Sequence, residues 1–69
     1  MQQKERGIVK WFDREKKYGF ITSDSKKEFF VHQSGVLEGM LEKGMRVEFE
    51  VGEGKKGPVA LNVSELAEA

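Results

Sequence analysis

The chain alternates short apolar runs with charged or glycine-containing breaks, and the runs carry the two-residue period of strands rather than the longer period of helices. After Gly7, the run Ile8-Val9-Lys10-Trp11-Phe12 reads as a first strand. Its two adjacent apolar pairs, Ile8-Val9 and Trp11-Phe12, break strict alternation, and a bulge or a strong twist reconciles them. Asp13 to Lys17 is a charged turn, Tyr18 to Ser23 a second strand, and Asp24-Ser25-Lys26-Lys27 a polar hairpin loop leading into a third strand from Glu28 to His32. These three strands are expected to form a meander. Gln33 to Gly44 breaks the pattern. Ser34-Gly35-Val36-Leu37 predicts a tight turn that tucks Val36 or Leu37 beneath the fold, and Gly39 and Gly44 prevent any helix longer than a turn. From Met45 to Val51 the alternation is clean, with Val47, Phe49 and Val51 on one face and Glu48 and Glu50 on the other. A glycine-rich loop from Gly52 to Pro58 then precedes a fifth strand, Val59 to Ser64, in which Val59, Leu61 and Val63 are expected to share a face. Residues 1–5 are expected to fray, and Ser64 to Ala69 could cap a helical turn but is too short to hold one alone.

Five short strands and no helix in 69 residues point to an all-β fold, a small five-stranded antiparallel barrel of the OB type, because closure leaves no free strand edges. One domain spanning residues 1–69 is expected, with an ordered core over about residues 6–64. An SH3-like barrel is the structural competitor, but the acidic loop it sets beside its aromatic groove is replaced here by lysines. An RNA-recognition motif needs two helices that no segment supplies. Without cysteine the chain has no disulfide, and a single histidine leaves no ligand set for structural zinc. No apolar run is long enough to span a membrane, and Met1 to Arg6 leads into no signal-peptide core. A soluble cytoplasmic protein is expected, acting as a monomer, with no cofactor, no membrane partner and no small-molecule substrate.

The same alternation decides which rings face outward. Tyr18 and Phe20 lie opposite Ile21, and Phe30 and His32 lie opposite Phe29 and Val31. If Ile21, Phe29 and Val31 make the core, a contiguous aromatic patch is left outside with Lys16 and Lys17 at its edge, and small soluble proteins rarely expose such a patch idly. Rings interleaved with lysines suit single-stranded nucleic acid, where bases stack on rings and ammonium groups meet phosphates. The formal charge is zero, with 12 basic and 12 acidic side chains, so the chain is no simple polycation. Residues 1–35 hold eight basic and five acidic side chains, a net of +3, which leaves −3 for the remainder. The rings lie in the basic half, and such a polarised molecule can turn one face toward a polyanion.

Four blocks, in order and at matching spacing, resemble the bacterial cold-shock proteins over residues 6–64: Lys10-Trp11-Phe12-Asp13, Lys16-Lys17-Tyr18-Gly19-Phe20-Ile21, Phe29-Phe30-Val31-His32, and Gly54-Lys55-Lys56-Gly57-Pro58 followed by Ala60 and Asn62-Val63. The second and third blocks are similar to that family's two ribonucleoprotein motifs. The resemblance implies a five-stranded OB barrel that binds single-stranded RNA and DNA, melts weak RNA structure and adjusts transcription or translation. The chain departs from the pattern at Asp13, where the family usually has Asn, and at Lys17, where it usually has Gly. It departs again at Gln33, where many bacterial members carry an aromatic. The Val36–Gly44 loop is shorter than usual and lacks its aromatic, with Met40 the nearest substitute.

Trp11, Tyr18, Phe20, Phe30 and His32 are the candidate stacking platforms, and Lys10, Lys16 and Lys17 the candidate phosphate contacts beside them. Lys27 and Lys56, on loops, are further candidates, as are Asp13, Gln33 and Met40 through the resemblance. Phe12 fits either the rim of the site or the core. Phe29 and Phe49 belong to the core. No serine, cysteine or carboxylate is placed by a recognisable motif to work with His32, so no catalytic role is expected. The glycines from 52 to 57 do not end in Gly-Lys-Ser/Thr or open a helix, so they form a turn connection and not a phosphate cradle. The alternative function is a protein-interaction barrel that docks a peptide on the aromatic face.

Overall fold

The apolar runs resolve into five strands in the computed structural model, which describes residues 4–37, 39–55 and 57–66. They are β1 (Lys4–Asp13), β2 (Tyr18–Ser23), β3 (Glu28–His32), β4 (Arg46–Gly54) and β5 (Gly57–Glu65), with one 3₁₀ turn, Gln33–Gly35, after β3. The sheet closes in the order β1-β2-β3-β5-β4, the expected five-stranded barrel with its β1–β3 meander. One seam differs from the antiparallel expectation: β3 and β5 run parallel, pairing Phe30 with Val59. Parallel neighbours need a long crossover, and the connection through the 3₁₀ turn and β4 supplies it.

Val9, Ile21, Phe29, Val31, Val47, Phe49, Ala60 and Val63 form one buried cluster, with alternation accounting for those on β1–β4. Each large side chain there contributes about 1.5–3 kcal/mol by leaving water. Phe29 and Phe49 meet edge to face across the centre, with ring centroids 5.0 Å apart. Leu41, which strand periodicity did not place in the core, is only 1% exposed and packs against it from the β3–β4 connection. Of the two candidates for the tight turn, Val36 is the one tucked in, bridging to Val63, while Leu37 stays exposed.

Several boundaries depart from the sequence reading. Lys4 and Glu5 do not fray; they pair with Glu50 and Phe49, so β1 begins earlier than expected. Residues 1–3 and 67–69 lie outside the described residues, and β5 runs from Gly57 to Glu65, beyond the expected Val59 to Ser64 at both ends. The glycine-rich stretch is mostly paired ribbon and not loop, with Gly52 opposite Val59 and Gly54 opposite Gly57. A Cβ on Gly52 would lie 2.6 Å from Cδ1 of Leu61, so the glycine lets that side chain lie across β4.

The face of β5 is the largest correction. Leu61 is exposed and Ala60 is buried, the reverse of the expected Val59-Leu61-Val63 face. The β4–β5 register shifts between Glu48 and Glu50, whose partners are Ser64 and Leu61, so two residues of β5 oppose Phe49 alone. Asn62 takes up the extra residue with φ +50, in the left-handed region that asparagine tolerates better than most residues. Beyond it the parity flips, and Val63 points inward again.

Candidate nucleic-acid interface

The expected bulge in β1 builds the centre of the site. Val9 faces Ile21, the next paired position is Trp11 with Phe20, and Lys10 is the extra residue between them. Lys10 and Trp11 are therefore both exposed, while Phe12 returns to the inner side opposite Gly19. Phe12, left between rim and core by the sequence, is half-buried and packs against the core cluster. It stands apart from the outer rings. Gly19 makes this possible: a Cβ there would sit 2.1 Å from the Trp11 carbonyl oxygen and 2.9 Å from the Phe12 ring, so only glycine lets β1 and β2 approach.

Four rings meet on the outer face of β1–β3. Trp11 lies 5.7 Å from Tyr18 and 5.4 Å from Phe20, and Phe30 lies 5.6 Å from Tyr18 and 5.8 Å from Phe20, centroid to centroid. Together these four side chains line one open groove. The planes are tilted or edge-on, at 30–78° to one another. The rings thus support each other while leaving faces and edges to solvent, and Trp11 is 37% exposed. His32 extends the strip, because it pairs with Tyr18 across β2–β3 and is exposed. Val59 continues it across the parallel seam, sharing a second hollow with Phe30, Gly54 and Lys55. Sequence periodicity could not find that neighbour, since pairing between β3 and β5 leaves no local signature.

The charged candidates divide into occupied and free groups. Nζ of Lys10 reaches over β2 to a carboxylate oxygen of Glu28 at 2.9 Å. Both side chains are half-exposed, so the pair is screened and contributes no more than about 1 kcal/mol. Glu28 was not singled out as a site residue, yet its parity with Phe30 and His32 was the available signal. Lys16, Lys17 and Lys27 are exposed, and among the described residues no ion pair engages them. Asp13 shapes the turn that carries the first two: its Oδ1 accepts hydrogen bonds from the backbone N–H groups of Glu15 at 2.9 Å and Lys16 at 3.1 Å. Lys17 sits in the left-handed region at φ +61.

That conformation costs a side-chain-bearing residue about 1–2 kcal/mol, part of which glycine would return as unfolded-state entropy. Lys17→Gly is therefore expected to raise stability by about 0.5–1 kcal/mol, read as a higher urea midpoint at unchanged slope. An unchanged or lower midpoint would show that the turn is not strained.

The remaining candidates do not join the ring strip. Gln33 donates from Nε2 to the Gly39 carbonyl at 2.9 Å and so ties down the β3–β4 connection. Met40 lines a different cleft with Gly39, Met45, Ser64 and Glu65. Arg14 and Glu42 add a 2.9 Å ion pair between that connection and the β1–β2 turn. Lys56 lies outside the described residues.

Comparison with known proteins agrees with this geometry. Residues 5–66 match the family model of the "'Cold-shock' DNA-binding domain". A "Cold shock-like protein" of Thermotoga maritima is 56% identical over 61 residues, covering 84% of this chain and 92% of that protein. A "Cold shock-like protein" of Aquifex aeolicus is 51% identical, covering 91% and 96%. A "Major cold shock protein" of Streptococcus pyogenes is 42% identical, covering 90% and 97%. Among solved structures, "drosophila Unr CSD456" superimposes with a TM-score of 0.80 at 20% identity, covering 96% of this chain and 28% of that one, a likeness of fold alone. With a family model spanning nearly all of it and relatives at this identity, the chain belongs to the cold-shock domain family.

Proposed function

We propose that this protein binds single-stranded RNA and DNA on the outer face of β1–β3, and that it serves as an RNA chaperone and a regulator of transcription or translation. The observation that carries the reading is the contiguous set of Trp11, Tyr18, Phe20 and Phe30 on one open face. Such rings offer stacking surfaces to any base, and the ammonium groups of Lys16 and Lys17 stand beside them for the phosphates. His32 extends the stacking surface, and Lys27 and Lys56 are further phosphate contacts. Lys10 joins them by exchanging its screened bond with Glu28 for a phosphate oxygen. Membership in a family described as DNA-binding supports the assignment. In this reading the protein works as a cytoplasmic monomer, without a cofactor and without catalysing a reaction. No helix among the described residues is long and apolar enough to cross a membrane.

Titration with short oligonucleotides tests the proposal directly. Trp11 is the only tryptophan, so single strands are expected to quench its fluorescence and duplexes to do so far less. Peptide docking on the same face is the outcome to be excluded, and salt separates the two. Each phosphate neutralised on a single strand contributes about −0.7 to the slope of log K against log salt. With about three to five lysines engaged, the expected slope is roughly −2 to −3.5. A slope near zero would favour peptide docking, and one steeper than about −6 would mean that charge, not stacking, dominates.

A further inference from the structure

His32 closes β3 and caps the 3₁₀ turn that follows, and its imidazole performs the cap. Its backbone is extended at φ −109, ψ 152, and its Nδ1 accepts a hydrogen bond from the backbone N–H of Ser34 at 3.1 Å. The Ser34 hydroxyl lies 3.0 Å from the same nitrogen. A backbone N–H can only donate, so Nδ1 must present its lone pair there. A neutral imidazole carries one N–H, which is then on Nε2. The Ser34 hydroxyl can rotate to share the same lone pair in a bifurcated bond, so this tautomer is compatible with both contacts. The other tautomer would set two N–H groups face to face and leave the turn uncapped.

We infer that the Ser34 cap holds His32 as the Nε2–H tautomer, so that His32 serves in the ring strip as a directional hydrogen-bond donor to an oxygen acceptor of the bound strand. The inference rests on the proposed function and goes beyond stacking, which a phenyl ring at this position would supply equally well. With Nδ1 held by Ser34, Nε2 is the nitrogen left to a ligand on an exposed residue that pairs with Tyr18 across the strands. The acceptor is an oxygen of the nucleic acid, either a pyrimidine carbonyl or a non-bridging phosphate oxygen. Because the donor is uncharged, its contribution is insensitive to salt, unlike that of the lysines.

The tautomer can be read before any ligand is added. Ring ¹⁵N spectra of the intact chain in alkaline solution, where imidazoles are neutral, are expected to show Nδ1 unprotonated and Nε2 protonated. An Nδ1–H tautomer, or an even mixture of the two, overturns the inference at once. On saturation with a thymidine hexamer, the Nε2 proton is expected to become a slowly exchanging resonance; continued rapid exchange counts against a hydrogen bond to the strand, and this reading needs no variant. His32→Phe is expected to bind the hexamer roughly 3- to 10-fold more weakly, by the same factor at low and high salt. Two series of hexamers then locate the acceptor. One replaces a single thymine with difluorotoluene, which keeps the shape and accepts hydrogen bonds poorly; the other replaces a single phosphate with methylphosphonate. At one position in one series the wild type is expected to lose affinity while His32→Phe does not. If no position in either series separates the two proteins, the donor role is overturned and the proposed function stands. If the wild type does not bind the hexamer at all, both fall.

Discussion

Phe49→Ala is expected to leave much of the chain unfolded at room temperature. Phe49 is 1% exposed, comes from the middle of β4, and rests edge to face on Phe29 with centroids 5.0 Å apart. Truncating a buried phenylalanine costs about 3–5 kcal/mol, the lost transfer energy together with the cavity left behind. At about 0.05–0.15 kcal/mol per residue, a chain of 69 residues has only roughly 3–10 kcal/mol to lose. The site cannot easily collapse to fill the gap, since Phe49 stands beside the Asn62 bulge, where β4 and β5 are already out of simple register. A urea titration followed by circular dichroism should show a sharply lowered midpoint or no folded baseline. A variant that melted like the wild type would mean that the two sides of β4 have been assigned the wrong way round.

Phe20→Ala and Phe30→Ala are expected to do the opposite: keep the fold and lose the ligand. Both rings are half-buried on the outside of the barrel and lean on each other at 5.8 Å. Base–aromatic stacking is worth about 1–3 kcal/mol per base by alanine substitution, so each change should weaken single-strand binding roughly 5- to 150-fold. Phe20 touches Trp11 as well as Phe30, and Phe30 touches Tyr18 as well as Phe20, so either loss removes the support of two neighbours. Isothermal titration with a pyrimidine strand, set beside thermal melts of the same samples, separates affinity from stability. If Phe20→Ala unfolded while Phe49→Ala stayed intact, the aromatic strip would be a core and the proposed function would lose its basis.

Rings and lysines play different parts in this arrangement. The rings sit on paired strands and touch one another, so their positions are set before a ligand arrives and little ordering entropy is spent on binding. Lys16 and Lys17 project from a turn held by Asp13, where charge can follow the backbone of any strand. Gln33 and Arg14 hold the β3–β4 connection through Gly39 and Glu42, and Met40 faces a separate cleft. The stacking surface is therefore built on β1–β3 without help from that connection.

How much of this was legible in the sequence depends on how local each feature is. A strand's two faces follow from alternation alone, so Tyr18 and Phe20 against Ile21, Phe30 and His32 against Phe29 and Val31, and Val47 and Phe49 against Glu48 and Glu50 could all be sorted without knowing what the strands pair with. The two adjacent apolar pairs around Lys10 announced the bulge that turns Trp11 outward, because an extra residue is the simplest way to reverse parity within one strand. What stayed hidden depends on pairing between distant segments. The parallel seam joining Phe30 to Val59, the burial of Leu41 from an irregular connection, and the bond from Lys10 to Glu28 leave no mark on local periodicity. The β5 face was misread for the same reason: Val59, Leu61 and Val63 alternate perfectly in sequence, but the Asn62 bulge flips the strand between them. A bulge costs little where asparagine can adopt a left-handed backbone, and its position is chosen by registry with β4 around Phe49. Alternation thus assigned the aromatic strip to one face, and only closure of the barrel decided what lies beside it.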